Sequence, residues 1–578
     1  MPQLKLPFTE ENKADSHEEG LHQCGLYRML PKPVQEVVEK KVHLLEYLHM
    51  VPIEEVGIPQ YHAKLTRKLR DLKRPNVIYP VTDDIFVHIH PDPHDGRNYY
   101  IAVEPTLTQN LDTLMMEVER RLLNFTTELS QAETEEERKE VLLRCVDEIC
   151  TTNGHEGNSG KGLFGLFGKK SKVEKIRVTP RQLEAIKYLL VRDKIGLGIL
   201  EPMIRDTYIE DISCSGVGRI FVEHKIFKGL KTAITFTSFE ELDEFVLRLA
   251  ERIKKPVTYR DPIVDAVLPD GSRINIVYGK DVSKRGSNFT IRKFSETPLS
   301  ILELIEFGSL DYKMAAYLSM VIGEGMNVFV AGETASGKTT LLNALTTFIP
   351  PSAKIVTIED TPELQVPHKN WIREVASQAR GGEEGAGVTM FDLLKAALRQ
   401  RPNEIIVGEI RGVEGAIAFQ AMQTGHAVMA TFHAASVEKL IQRLTGNPIN
   451  VPKTYIDNLN VVVIQSAVRL PDGKIGRRAL SINEIVGYDP PSDSFSFIEI
   501  FRWNPVDDTF EFVGNMNSYL LEQKIAVKRG IPSHKKRQIY GELERRAKIL
   551  EKLHKEQKVT GFYELLSVLA KAQQEGLF

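Results

Sequence analysis

The stretch MNVFVAGETASGKTTLLNAL, residues 326–345, constrains the fold more than any other. An apolar run, Val328 to Ala331, reads as a buried strand. It leads straight into Gly332-Glu333-Thr334-Ala335-Ser336-Gly337-Lys338-Thr339, and a helical pattern follows. This is G-x-x-x-x-G-K-T in the strand–turn–helix setting that gives the pattern its physical meaning. Glycines at both ends let the backbone wrap a ligand with no Cβ in the way. The turn aims successive N–H groups inward, and the helix starting there adds the positive end of its dipole. Lys338 is placed to reach β- and γ-phosphates, and Thr339 to offer its hydroxyl to Mg²⁺. The nucleotide-binding set is therefore Gly332, Glu333, Thr334, Ala335, Ser336, Gly337, Lys338, Thr339 and Thr340, and the ligands implied are ATP and Mg²⁺.

Short buried runs separated by helical stretches continue to about residue 500, which implies a parallel sheet with helices on both faces. In such sheets ligands lie beyond the carboxyl ends of the strands, so the residues that end each run matter. The run Ile355–Ile358 ends on Glu359, Asp360 and Glu363. The run Ile405–Val407 ends on Gly408 and Glu409. Glu409 is positioned to hold the water shell of Mg²⁺; Gly408 allows close backbone approach, and the glutamate's extra methylene spans the distance where an aspartate is commoner. A third run, Ala427–Thr431, is followed by His433, either a plain strand-end residue or a partner for the γ-phosphate. The two acidic strand ends favour the second reading. Between the acids, a helix opening at Thr389 and Asp392 runs to Arg399 and Arg401, both placed to meet a phosphate or a neighbouring subunit.

The chain of 578 residues is too long for one ordinary core. Five parts are expected: an α+β adaptor unit over 1–150, a linker over 151–177, a second α+β domain over 178–298, the phosphate-binding domain over 299–500, and a strand-and-helix extension over 501–578. The linker holds GLFGLFGKK, for which two readings stay open, a mobile hinge or a contact with a membrane surface. Residues 1–35 read as a loose tail. No run of apolar residues is long enough to span a bilayer, and the N-terminus lacks the apolar stretch of a signal peptide, so a cytoplasmic location is expected. The net charge of -3 argues against a broad nucleic-acid footprint and a DNA-handling motor. Cys24, Cys145, Cys150 and Cys214 have no zinc-clip spacing and read as reduced and structural. His88 and His90 share a strand face beside His94, where a solvated strand end is the plain reading and a metal the alternative.

The ordered motifs GETASGKT, IEDTPE, ALRQRPNEIIVGEIRG and TGHAVMATFHAAS closely resemble the secretion ATPase superfamily of type II secretion, type IV pili and archaella. The resemblance covers residues 178–480. It implies a RecA-like motor domain behind a smaller N-terminal domain, and ATP hydrolysis. It implies that Glu363, the last acid of its box, is the base for the attacking water, that Glu409 coordinates Mg²⁺, and that His433 senses phosphate. It also implies a homo-hexamer in which arginines of the N-terminal domain approach the nucleotide. LPDGSRINIVY and FTIRKF match those segments, so Arg273 and Arg292 are the candidates, with Arg260 behind them. NVIYPVTDDIFVHI, YIEDISCSG and EIFRWNPVDDTFEF resemble the archaellum motor ATPase and its archaeal pilus relatives. The expected partners are a polytopic membrane platform protein and filament accessory proteins, met at the inner membrane face. Pilus assembly and type II-like secretion remain the alternatives to archaellum drive.

Overall fold

A computed structural model describes residues 3–8, 24–66, 69–70, 72–107, 109–132, 134–152, 175–294, 297–376 and 387–578. The chain divides into two compact units, Met1–Phe294 and Ser295–Phe578. Most of the linker, GLFGLFGKK included, lies outside the described residues.

The first unit is built on one sheet. Its strands of four residues or more are β1 (Val77–Pro80), β2 (Phe86–His90), β3 (Tyr99–Val103), β4 (Ile209–Cys214), β5 (Gly218–His224), β6 (Lys228–Phe236), β7 (Ile263–Val267), β8 (Arg273–Val277) and β9 (Asn288–Arg292). Their order is β7-β8-β9-β4-β5-β6-β3-β2-β1. Local hairpins explain most neighbours; the Asp270-Gly271 turn joins β7 to β8, with Gly271 at φ +85°. The helix α1 (Val42–Met50) packs its Leu44, Leu45 and Leu48 under β1–β3. The helix α2 (Glu135–Ile149) opens with a capping box between Thr134 and Glu137, and α3 (Pro180–Lys194) with one between Thr179 and Gln182. Ser238 caps α4 (Phe239–Arg252).

One pairing is not local. β6 runs parallel to β3, with Lys231 opposite Tyr99 and Thr232 opposite Tyr100. The segments expected as two folded parts, on either side of the linker, thus share one sheet and one core, in which Val77, Tyr79, Val87 and Tyr100 join Ile212, Val222, Leu230 and Leu249. The buried Asp206 accepts hydrogen bonds from Tyr79 Oη at 2.6 Å and Tyr100 Oη at 3.1 Å, so a carboxylate of one segment is satisfied by the other. The expected tail is also tied in: Gln3–Leu4 pairs with β6, and Cys24 caps a short helix, Gly25–Met29; residues 9–23 fall outside the described set. His88 and His90 are buried, not solvated. Both ring nitrogens of His88 are engaged, by Tyr47 Oη and Asn76 Oδ1, each at 2.7 Å. All four cysteines are free and buried.

The second unit is an α/β domain with a RecA-like parallel sheet. Its strands are β10 (Val328–Gly332), β11 (Ile355–Glu359), β12 (Trp371–Val375), β13 (Glu404–Ile410), β14 (Ala427–Phe432), β15 (Val461–Arg469), β16 (Ile475–Asp489), β17 (Ser494–Asn504) and β18 (Thr509–Glu511), ordered β12-β11-β13-β14-β10-β15-β16-β17-β18. Pairing is parallel from β12 to β15 and antiparallel beyond. The apolar runs are continuous because both faces are covered. Val328, Val330, Ile355, Ile406, Val461 and Val463 face one core, with α5 (Tyr312–Gly323) and α6 (Lys338–Leu345). Phe329, Ala331, Val356, Ile405, Val407 and Val462 face the other. There they meet α7 (Met390–Gln400), α8 (Glu414–Gln423) and α9 (Val437–Thr445). The last helices, α10 (Ile539–Lys555) and α11 (Phe562–Gln574), put Leu543, Leu550, Leu565 and Leu569 into the first of these cores. β17 runs through residues 500 and 501 without a break.

Candidate active site

The phosphate loop leaves β10 at Gly332. The strand is paired there with Gln465 of β15, and a Cβ on Gly332 would stand 2.1 Å from the Gln465 carbonyl oxygen. Only glycine fits this close approach. Ala335 (φ +60°) and Gly337 (φ +92°) then turn the chain through the left-handed region into α6. The Lys338 side chain is folded back and donates from Nζ to the Glu333 carbonyl oxygen at 2.8 Å. Burial lowers its pKa, while Glu409 and Glu363 push the other way. The Ser336 hydroxyl is buried and meets no hydrogen-bond partner. A cradle that excludes Cβ atoms, a folded-back lysine and an orphan hydroxyl fit a phosphate-bearing ligand. Thr339 and Thr340 follow on the first turn of α6, half-buried.

The acidic box is tied to the same helix. Asn343 of α6 donates from Nδ2 to the Glu363 carbonyl oxygen at 3.2 Å and accepts from the Gln365 N–H at 3.0 Å. At the end of β11, Glu359 Oε1 accepts the N–H groups of Glu363 and Leu364, both at 2.7 Å. These two bonds fold residues 359–364 into the turn that presents Glu363. Glu359 itself is buried, and burial raises its pKa to about 7 against those bonds. Gly408 on the neighbouring β13 faces this carboxylate; a Cβ there would lie 3.1 Å from Glu359 Cγ. The glycine therefore makes room for Glu359.

Glu409 follows. Its Oε1 lies 2.7 Å from His433 Nε2, a close polar approach that lacks the alignment of a hydrogen bond, and its Oε2 accepts from Arg411 at 2.5 Å. Arg411 also stands 3.8 Å from Asp360. Burial lowers the pKa of His433, against the pull of Glu409. At neutral pH the imidazole is therefore uncharged and presents one donor and one acceptor. The ends of β10, β11, β13 and β14 thus bring Lys338, Glu363, Glu409 and His433 to one edge of the sheet, where Coulomb interactions link the first three.

Two residues of this edge, Arg411 and Arg477, escaped the sequence reading, as did the structural role of Glu359. Glu359 looked like one acid in a run; its two backbone bonds distinguish it. Arg411 sits two residues past Glu409, and Arg477 arrives from β16 to donate from Nε to the Ala335 carbonyl oxygen at 3.2 Å. No periodic pattern marks a lone arginine. Arg399 and Arg401, expected to meet a phosphate or a neighbouring subunit, precede the start of β13 at Glu404. Five strand residues, roughly 16 Å, separate that end from Glu409, so they lie away from this phosphate loop.

Arg273 and Arg292 belong to the first unit. They are cross-strand partners on β8 and β9, both exposed, and Arg292 in turn faces Asp211 of β4. Like charges directly opposite on a sheet oppose folding, and Asp211 offsets this. Among the described residues, no group of three metal-ligating side chains stands together, and no helix is long and apolar enough to cross a membrane.

The phosphate loop follows β10, the fifth of nine strands in the sheet, and the acids end β11 and β13, with β14 between them and β10. The family model "Type II/IV secretion system protein" matches residues 193–492. The chain belongs to this family. It lies within the type II/IV secretion ATPase superfamily. An uncharacterized protein of Methanocaldococcus jannaschii is 45% identical over 94% of this chain and 97% of its own length. The type IV secretion system protein VirB11 of Bartonella quintana is 31% identical over 36% of this chain and 67% of its own. The crystal structure of the VirB11 ATPase from the Brucella suis type IV secretion system, with sulphate, is 25% identical; it covers 51% of this chain and 93% of that one, with a TM-score of 0.26.

Proposed function

We propose that this family member is a Mg²⁺-dependent ATPase that works as a homo-hexamer and turns hydrolysis into domain motion at a membrane platform, driving an archaellum. The carrying observation is the convergence of Lys338, Glu363, Glu409 and His433 at adjacent strand ends around a glycine-built cradle. In this reading Lys338 and the loop N–H groups hold the phosphates. Glu363 takes the proton of the attacking water, its position fixed by the Glu359 turn and by Asn343. Thr339 and Glu409 would hold Mg²⁺, which when bound neutralises charge developing on the phosphates. His433, neutral and beside Glu409, is suited to report whether the γ-phosphate is present. The hydrogen-bonded Arg411 keeps the Glu409 carboxylate compensated until a cation competes for it.

Arg273 and Arg292 stand on a different unit from the phosphate loop, which favours a site completed by assembly. Residues 1–150 are proposed to be the adaptor for membrane and filament partners, acting as the flank of the first unit's sheet. The archaellum reading draws on the N-terminal strand motifs and on the long match to an archaeal relative. Pilus assembly or secretion is the second reading, favoured by the named type IV secretion relatives.

Two measurements test this reading. Binding of a fluorescent ATP analogue should be lost in Lys338→Ala. Specific ATPase activity should rise with protein concentration as the hexamer assembles; full activity in a monomer at high dilution contradicts the hexamer.

A further inference from the structure

We infer that Arg477 is a phosphate-handling residue of the same site: it braces the phosphate loop at Ala335 and Gly337, and its guanidinium meets the phosphates of a bound nucleotide. The inference rests on the nucleotide-binding reading and deepens it.

The topology puts Arg477 there. β10 ends at Gly332, which pairs with Gln465, but β15 runs on to Arg469 and β16 returns from Ile475. Ala467 and Arg477 pair in this outer part of the hairpin. The hairpin therefore stands beside the loop that follows Gly332. From it Arg477 donates Nε–H to the carbonyl oxygen of Ala335 at 3.2 Å. Its stem lies along Gly337; a Cβ added to that glycine would be 3.0 Å from Arg477 Cδ. Ala335 and Gly337 are the two loop residues in the left-handed region. An alanine there is strained, so the bond falls where the loop most needs support.

Charge completes the argument. The adjacent Arg478 is buried and fully used, bound to Asp508 at 2.7 and 2.6 Å and to the Phe307 carbonyl oxygen at 3.1 Å. Strand alternation sends Arg477 to the opposite face. It is exposed, and among the described residues its charge has no carboxylate partner and its terminal nitrogens make no hydrogen bond. A planar guanidinium with free donors, held one bond from a phosphate loop, suits a polyanionic ligand better than any lysine would. It also supplies positive charge from within the motor unit itself.

The test is a fluorescence titration of the full chain with mant-ADP and Mg²⁺ at low and high salt, for wild type, Arg477→Gln, Arg477→Lys and Lys338→Ala. Arg477→Gln should raise Kd roughly tenfold and flatten its dependence on salt, with a cooperative melt retained. Arg477→Lys, which keeps the charge, should recover part of the affinity and most of the salt dependence. Wild-type Kd and salt dependence in Arg477→Gln would overturn the inference while leaving the nucleotide reading intact. Equal weakening in both variants with wild-type salt dependence would overturn the phosphate contact. Absence of mant-ADP binding by wild type would remove the nucleotide reading and this inference with it.

Discussion

Glu359 shapes the turn that presents Glu363. Its carboxylate spends one oxygen on two N–H groups of the turn that presents Glu363, and burial holds its pKa up at about 7 from an ordinary 4.5. The folded chain therefore binds this proton more tightly than the unfolded chain. The resulting stability is fully present below pH 4.5 and is lost as pH rises towards about 7. The shift corresponds to on the order of 3 kcal/mol. Glu359→Gln keeps the acceptor oxygen and cannot ionise. Its melting temperature relative to wild type should rise between pH 5 and 8; a difference that does not change with pH would show that Glu359 is not held protonated. Lys338 and His433 behave in the opposite sense, since burial lowers both and favours their neutral forms.

The loop between β10 and α6 is an element whose geometry one methyl group can destroy. In Gly332→Ala the new Cβ would collide with the Gln465 backbone, which cannot swing aside as a side chain can. Nucleotide binding should be lost and the melting temperature should fall, by roughly 1–3 kcal/mol of stability or more. Gly408→Ala is milder, because its Cβ would meet Glu359 Cγ at 3.1 Å, where Gly332→Ala would meet backbone at 2.1 Å; the expected effect is a turnover defect with binding kept. Titration with a fluorescent nucleotide and thermal melts distinguish the two variants. These elements were readable from sequence because each is written locally. A continuous apolar run, a glycine-bounded turn and a helix cap are short-range signals, and they mark Val328–Ala331, the loop itself, and the cap at Thr389. The acids at strand ends were readable for the same reason, once the sheet was taken as parallel. The β15–β16 hairpin past the sheet edge was not, so neither was Arg477, whose role depends on which strand lies next to which.

At the scale of the molecule the same limit appears as the β3–β6 pairing. It joins segments separated by more than a hundred residues, and nothing in either strand names the other. Composition marks the linker but not that the chain returns across it to complete one core. A chain beginning near Val173 would lose β1–β3 and both tyrosine donors to Asp206, leaving its buried Oδ2 unpaired, with only Oδ1 still bonded to the Tyr208 N–H, and one edge of β6 open. Such losses cost several kcal/mol. The truncated chain should therefore lack a cooperative melt for its first unit, while the second unit, with its own two cores, still unfolds cooperatively; retention of both transitions would contradict a shared core. The central claim concerns the second unit, that its strand ends form a hydrolytic site in which Glu363 is the base. The most direct measurement is steady-state phosphate release from MgATP by wild type and Glu363→Gln, with binding of the ATP analogue followed in parallel. The account predicts turnover by wild type, a loss of roughly 10²-fold or more in Glu363→Gln, and unchanged binding. Wild-type turnover in Glu363→Gln would contradict it.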